Sequence, residues 1–301
     1  MEITLPVPSE FFGKTIFQFL KELGISKRQL RKLKLQEAVF LNNQPVPLNY
    51  QLKTTGNLVI KLPQVKLSSI QSPELPLQVL YEDNFLLVVN KPAGILAHPV
   101  KNHPAPSLQE LTYSYYLKNN KVFEGYYPIY RLDRNTTGAM LIAKFSLIAE
   151  LLNKSLRSKK IKKSYLALVE GQITKKSGLI NLPLGLAEGS IIKRSITPEG
   201  KPACTKYETL KLFTSNTLLK VEILTGRTHQ IRAHFAGIGH PLVGDDLYGS
   251  KTNIMNRQAL HLYSLSLLHP VTGKEIKLIS PLPDDFKEAL ITLKKASGEQ
   301  F

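Results

Sequence analysis

Cysteine is nearly absent. The single Cys204 among 301 residues excludes an intrachain disulfide and a cluster of thiolate metal ligands, and a cytosolic compartment is expected. Long apolar runs are missing as well. No stretch approaches the roughly 20 residues that span a bilayer as a helix, so no membrane segment is expected. The opening residues MEITLPVPSE place acids at Glu2 and Glu10, where a secretory signal would carry bases before an apolar core. No signal peptide is expected. Acids are scarce: 23 aspartates and glutamates face 40 lysines and arginines, a formal charge of +17. Such an excess points to a polyanionic partner, nucleic acid ahead of an anionic membrane. Neither an internal repeat nor a regular βαβ alternation is present, which leaves a mixed α+β chain.

What is present suffices for a folded core. The hydrophobic fraction is 43%, too high for wholesale disorder, and the length suggests two domains. Residues 1–65 read as a small unit with nine bases against four acids. Phe17, Leu20 and Leu23 recur at near-helical spacing, and Ser26 opens a second helix carrying Leu30, Leu33 and Leu35. A short strand, an Asn-Asn turn and the strand NLVIKLP follow. In the second helix, Lys27, Arg28, Arg31, Lys32 and Lys34 fall within eight residues. Much of that charge shares one face, which suits a phosphate backbone; an ordinary solvated face is the plainer reading. Residues 66–76, rich in Ser and Pro, read as a linker. From residue 77 to 301 strands predominate. Helices are expected near Ser107–Asn119, after Ser146, within THQIRAHFAGIG and from Asp284.

Three segments carry candidate chemistry. In YRLDRNTTG, Asp133 lies between Arg131 and Arg134 just ahead of the strand GAMLIAK. Nearby guanidinium groups favour the anionic form of a carboxylate, and a loop carboxylate at a strand end can act as nucleophile, base or charge stabiliser. A loop salt bridge is the plainer alternative. In TGRTHQIRAH, Thr228 is placed to cap a helix flanked by Arg227 and Arg232, which suits an anion; alternatively the arginines meet acids such as Asp245 and Asp246. His229 and His234 are five apart, about 140° around a helix, a poor spacing for a shared metal, so no metal site is expected. In KSLRSKKIKKSY, six bases fall within ten positions before Tyr165. That pattern suits RNA, where phosphates are neutralised and bases stack.

Together these segments resemble the RluA family of RNA pseudouridine synthases. YEDNFLLVVNKPAGILAHP, YRLDRNTTGAMLIAK, KKSYLALVEG, GKPACTKYETL, LLKVEILTGRTHQIRAHFAGIGHPLVGDDLYG and ALHLYSLSLLHPVTG occur in the family's order, from Leu77 to the closing SPLPDDF. The N-terminal unit resembles, more loosely, the small RNA-binding domain named after ribosomal small-subunit protein four. The resemblance implies a bent, mixed, mostly antiparallel sheet with flanking helices and a central RNA-binding cleft. It also implies conversion of uridine to pseudouridine in structured RNA, ribosomal or transfer, with no cofactor or metal. By it, Asp133 matches the catalytic aspartate, Tyr165 the active-site tyrosine, and Arg232 the arginine that pairs with the aspartate. Arg131 matches the arginine that fills the gap left by the flipped nucleotide. Arg134, Arg227 and His229 are expected to contact RNA at the cleft, and Lys27, Arg28, Arg31 and Lys32 on the N-terminal helix.

The chemistry requires the N1–C1′ bond to break, uracil to rotate and C5 to bond to C1′. A carboxylate serves by attack at C1′, by proton abstraction at C2′ or by attack on the base. Tyr165 would take the C5 proton directly or through a water. The family often has His at the place of Tyr130 and Asp at the place of Asn135; neither is the matched aspartate, so these departures bear on RNA contacts. The alternative is an inactive RNA-binding protein on the same fold. A monomer is the default expectation.

Overall fold

The computed structural model describes residues 1–63, 75–100, 106–250 and 254–298. The linker expected at 66–76 lies outside the described residues except for its last two positions.

The N-terminal sheet is built from β1 (Glu2–Val7), β2 (Val39–Leu41), β3 (Gln44–Pro45) and β4 (Gly56–Lys61), ordered β1-β4-β2-β3 and antiparallel throughout. Between β1 and β2 come helices α1 (Ile16–Glu22) and α2 (Lys27–Leu35). Thr15 and Gln18 close a capping box on α1, and the Ser26 hydroxyl accepts from the Gln29 N–H at the start of α2. Asn42 and Asn43 both take positive φ, 49° and 67°, which gives the two-residue hairpin between β2 and β3 its hand. β1 was not legible in the sequence. Its Pro6 argues against a strand and is accommodated because β1 is an edge with β4 as its neighbour.

The larger sheet follows, with its helices. In chain order these are β5 (Val79–Glu82), β6 (Leu86–Lys91), α3 (Leu108–Lys118), β7 (Tyr127–Pro128), β8 (Thr137–Ala143), α4 (Ser146–Arg157) and β9 (Lys162–Glu170). Next come β10 (Ser177–Asn181), β11 (Leu184–Leu186), β12 (Arg194–Ile196), β13 (Cys204–Leu212), β14 (Asn216–Ile223) and α5 (Gln230–Gly237). β15 (Leu260–Leu268), β16 (Glu275–Ile279) and α6 (Asp284–Ala296) complete the chain. The sheet runs β10-β13-β14-β9-β15-β8-β6-β5, with β16 added to β15 and β7 to β8. β11 and β12 form a separate hairpin.

Two antiparallel halves meet at one parallel contact, β8 against β15, where only His261 faces Thr137 and Leu262 faces Gly138. This seam positions the site. Gly138 sits there at φ +115°, and a Cβ on it would come within 2.3 Å of the Leu262 carbonyl oxygen. Only glycine permits both the conformation and the approach. The main core lines both halves, with β6 and β8 almost wholly buried and α4 contributing Leu147, Ile148 and Leu152. Phe286, Ala289 and Leu293 of α6 close a second core over Leu168 and Val243. The N-terminal unit contacts α4 and its approach: Ser26 bonds Glu150, Lys32 pairs with Glu124, and Lys154 donates to the Glu22 carbonyl.

Candidate active site

Asp133 lies on the loop that enters β8 at the seam. Four side chains fix that loop from beneath. The fully buried Lys91 ammonium donates to the carbonyls of Pro92, Ile95 and Arg134 at 2.8–2.9 Å. Arg257 donates to the Asn135 carbonyl at 3.1 Å while gripping Asp285 with two bonds of 2.6 and 2.8 Å. Gln258 donates to the Thr136 hydroxyl, and His261 meets the Thr137 hydroxyl at 2.8 Å. Burial pushes Lys91 down to about 7, a fall that Asp133 opposes and Arg257 assists. None of these four was legible as a site residue. For Lys91 a signal existed: a lysine closing the apolar run LLVVNK must find partners or lose its charge.

Three of the expected residues come together around the Asp133 carboxylate. Arg232, on α5, reaches Asp133 Oδ2 with Nη1 at 3.3 Å. Its stronger grip is on Asp245, whose buried carboxylate accepts from Nε and Nη2 at 2.7 and 2.8 Å. One guanidinium thus bridges two carboxylates, with the Tyr248 ring 5.0 Å from its carbon. Burial works against its charge, but the carboxylates, Asp245 foremost, outweigh it and raise the Arg232 pKa. Tyr165 of β9 shares a recess of about 70 Å³ with Asp133, Arg232 and Leu260. It is buried, and burial together with Asp133 pushes its phenol well above the ordinary tyrosine range. At neutral pH Tyr165 is therefore a hydrogen-bond donor, which disfavours the proton-accepting role expected of it, direct or through a water, and leaves it to hold a water that relays the proton elsewhere.

His229 joins this group. It precedes α5 in the left-handed conformation, φ 55°, and no side chain caps the helix, so Thr228 is not the cap the sequence suggested. Gln230 takes over the turn: its amide oxygen accepts from the Arg227 N–H and the Thr225 hydroxyl. The Tyr248 hydroxyl accepts from the Arg194 N–H and meets His229 Nδ1 at 3.2 Å. His229 Nε2 lies 3.8 Å from Asp133 Oδ2. Burial, ahead of the opposing charge of Asp133, lowers the His229 pKa. His234 is turned elsewhere, to the Thr205 hydroxyl and the Leu182 carbonyl.

A cleft of about 530 Å³ opens above Asp133. Arg131, Arg227 and His229 line it, joined by Arg157, Lys159 and Lys162 from the basic run before Tyr165. Arg134 does not line it; its Nε donates to the Gly94 carbonyl at 3.2 Å. The α2 bases lie apart from it: Lys27, Arg28 and Arg31 are exposed, while Lys32 is taken up by Glu124. The recess holds a carboxylate, a phenol and a guanidinium, and the cleft above it is basic. One nucleotide unstacked from a polyanionic strand suits that arrangement.

Comparison with known proteins agrees. Residues 85–237 match the family model described as RNA pseudouridylate synthase, and residues 3–58 match the RluD ribosomal pseudouridine synthase N-terminal domain. The chain is 34% identical over 278 residues to the uncharacterized RNA pseudouridine synthase YjbO of Bacillus subtilis, covering 92% of this chain and 98% of that one. It is 32% identical over 318 residues to ribosomal large subunit pseudouridine synthase D of Yersinia pestis, covering 100% of this chain and 97% of that one. Among solved structures, human RNA pseudouridylate synthase domain containing 1 superposes with a TM-score of 0.58 at 25% identity, covering 69% of this chain and 84% of that one. With its family order of motifs and its carboxylate, phenol and guanidinium in one recess, the chain belongs to the RNA pseudouridine synthases, isomerases of the RluD type that turn uridine into pseudouridine within RNA.

Proposed function

We propose that Asp133 is the carboxylate that carries this isomerisation, that Arg232 orients it, and that Tyr165 serves as a phenol beside the base. The observation that carries the reading is the hold on Asp133 Oδ2 by Arg232 at 3.3 Å, in the same recess as Tyr165 and at the floor of a basic cleft. In the reaction the N1–C1′ bond breaks, the ring turns, and C5 bonds to C1′. C5 loses its proton and N1 gains one, so no cosubstrate is consumed. Because Asp245 anchors the other edge of Arg232, the guanidinium that faces Asp133 does not need to reorganise as charge develops at C1′. Tyr165, kept neutral, donates a hydrogen bond and positions a water that relays the C5 proton to N1.

The substrate is structured RNA, and we assign it to large-subunit ribosomal RNA, with transfer RNA as the second choice. The full-length likeness to the Yersinia pestis protein named for the ribosomal large subunit supports this. Residues 1–65 would hold RNA through α2, residues 77–301 would do the chemistry, and the protein would act as a monomer in the cytoplasm. Arg131 would occupy the space vacated by the flipped uridine, a step costing a few kcal/mol. Carbodiimide mapping of pseudouridine, in RNA from cells with and without the gene, tests the reading. A site in large-subunit RNA should vanish with the gene and return with the wild-type copy, not with Asp133→Asn. An unchanged map would sink the assignment, and a site lost from transfer RNA alone would redirect it.

A further inference from the structure

Tyr130 and Lys163 form a pair for which the chemistry above has no use. β15 bulges where it pairs with this part of β9, so that Tyr165 lies opposite Leu262 and Lys163 opposite Leu265. Side chains two residues apart on a strand leave the same face, so Lys163 projects on the Tyr165 side. Its Nζ lies 4.3 Å from the centroid of the Tyr130 ring. That ring is fixed, since its hydroxyl donates to the Ala139 carbonyl at 3.0 Å. Both residues line the cleft that holds Asp133.

The charge on Lys163 is incompletely compensated. Arg157, Lys159 and Lys162 in the same cleft are exposed and hydrated, whereas Lys163 is half-buried. Among the described residues no carboxylate forms an ion pair with it, and burial is the one influence that moves its basicity. An aromatic face returns part of the lost hydration. The rest returns only when an anion enters. The cleft is built for a polyanion: Arg157, Lys159, Lys162 and Arg227 line it against Asp133 and Glu222.

Taking the cleft as the RNA site, we propose that Lys163, backed by the Tyr130 ring, is a discrete phosphate seat. It grips a nonbridging oxygen of one phosphodiester beside the nucleotide held at Asp133. Tyr130 is the shelf that aims the ammonium into the cleft, which gives the departure at this position a purpose.

Burial pushes Lys163 down to about 8, so the free ammonium is lost as pH rises through that value and the seat is lost with it. His229, lowered by burial, and Tyr165, raised by it, lie outside the window from pH 7 to 8.5, whereas Lys91, at about 7 beneath the Asp133 loop, titrates into it equally in every variant below. Asp133, Glu222, Arg157, Lys159, Lys162 and Arg227 face the same space and are common to every variant below.

The test is equilibrium binding of the full-length protein to a stem–loop RNA with an all-uridine loop. Lys163→Gln should bind about 10-fold more weakly at pH 7, as expected for one charge-assisted bond. Its salt slope should be shallower by about 0.7, one phosphate of a single strand. Between pH 7 and 8.5 the wild type should weaken by about threefold relative to Lys163→Gln, while Lys163→Arg keeps its pH 7 advantage over Lys163→Gln throughout. Replacing loop phosphates one at a time by neutral methylphosphonate should reveal one position that costs the wild type about 10-fold and costs Lys163→Gln nothing. Equal affinity of wild type and Lys163→Gln at pH 7, a shared pH response, or a cost spread evenly over the loop phosphates would overturn the proposal. Should Lys163→Gln fail to fold, Lys163→Arg decides: weakening at pH 8.5 to the same extent as wild type overturns it. None of these readouts needs turnover, so a protein that binds through Lys163 yet makes no pseudouridine would defeat the proposed function and leave the phosphate seat standing.

Discussion

On α2, Lys27, Arg28 and Arg31 stand exposed, while Lys32 docks the helix against Glu124. In the recess, Arg232 is buried between Asp245 and Asp133. The first group consists of independent point charges in high dielectric, each replaceable and each screened by salt. The second is one cation whose position is set by a buried carboxylate behind it that holds it with two bonds. Charge on the helix is a matter of amount. Charge in the recess is a matter of geometry, and removing it exposes the groups it satisfied.

That contrast orders the expected effects. Asp133→Asn keeps the shape of the recess and removes the carboxylate, so turnover should fall by at least about 1,000-fold. Affinity for RNA should stay within about threefold of wild type by anisotropy. Arg232→Lys keeps the charge but cannot span two carboxylates, and single-turnover rates should fall by about 100-fold with a lower melting temperature. A rate close to wild type would show that charge alone suffices and would erase the contrast. Lys91→Met probes the support beneath the loop. Lys91 has a folded-state pKa near 7, below its unfolded value, so the unfolded chain holds more protons between the two. The wild type should therefore gain stability relative to Lys91→Met as pH rises from 7 to 10, measured by urea unfolding. On the other side, Lys27→Ala, Arg28→Ala and Arg31→Ala combined should weaken RNA binding by about 10-fold and make the salt slope shallower by about 2 to 3, with saturated turnover unchanged. Each alone should cost only about twofold.

Elements were legible in the sequence where the local pattern decided them. Ser26 starts α2, the Asn-Asn pair turns β2 into β3, and the apolar run before Lys144 is β8. Asp133, Tyr165 and Arg232 were legible through motifs, and the fold does gather them. What was not legible depends on topology. Asp245 was foreseen only as one of two acids available to the arginines, yet it is the main partner of Arg232. Tyr248 meets His229 across 19 residues, and Arg257 holds the Asp133 loop from 122 residues away. No local pattern announces such contacts: the first two form when the chain after α5 folds back onto that helix, and the third forms beside the β8–β15 seam, where distant strands meet. Thr228 misled for a related reason: the turn before α5 is decided by Gln230 and by a left-handed His229, not by the residue type best suited to capping.

The same seam dictates an order of assembly. β8 finds its partner β6 as soon as both exist, so the Asp133 loop is tethered at one end early in synthesis. Its remaining support arrives late: Arg232 lies 99 residues further on, and His261 lies 124 residues beyond Thr137. Chains emerge from the ribosome N-terminus first, and contacts between distant residues form after local ones. A nascent chain thus carries its basic α2 long before its recess is closed. The geometry that distinguishes the recess from the helix is therefore the last part of the protein to be completed.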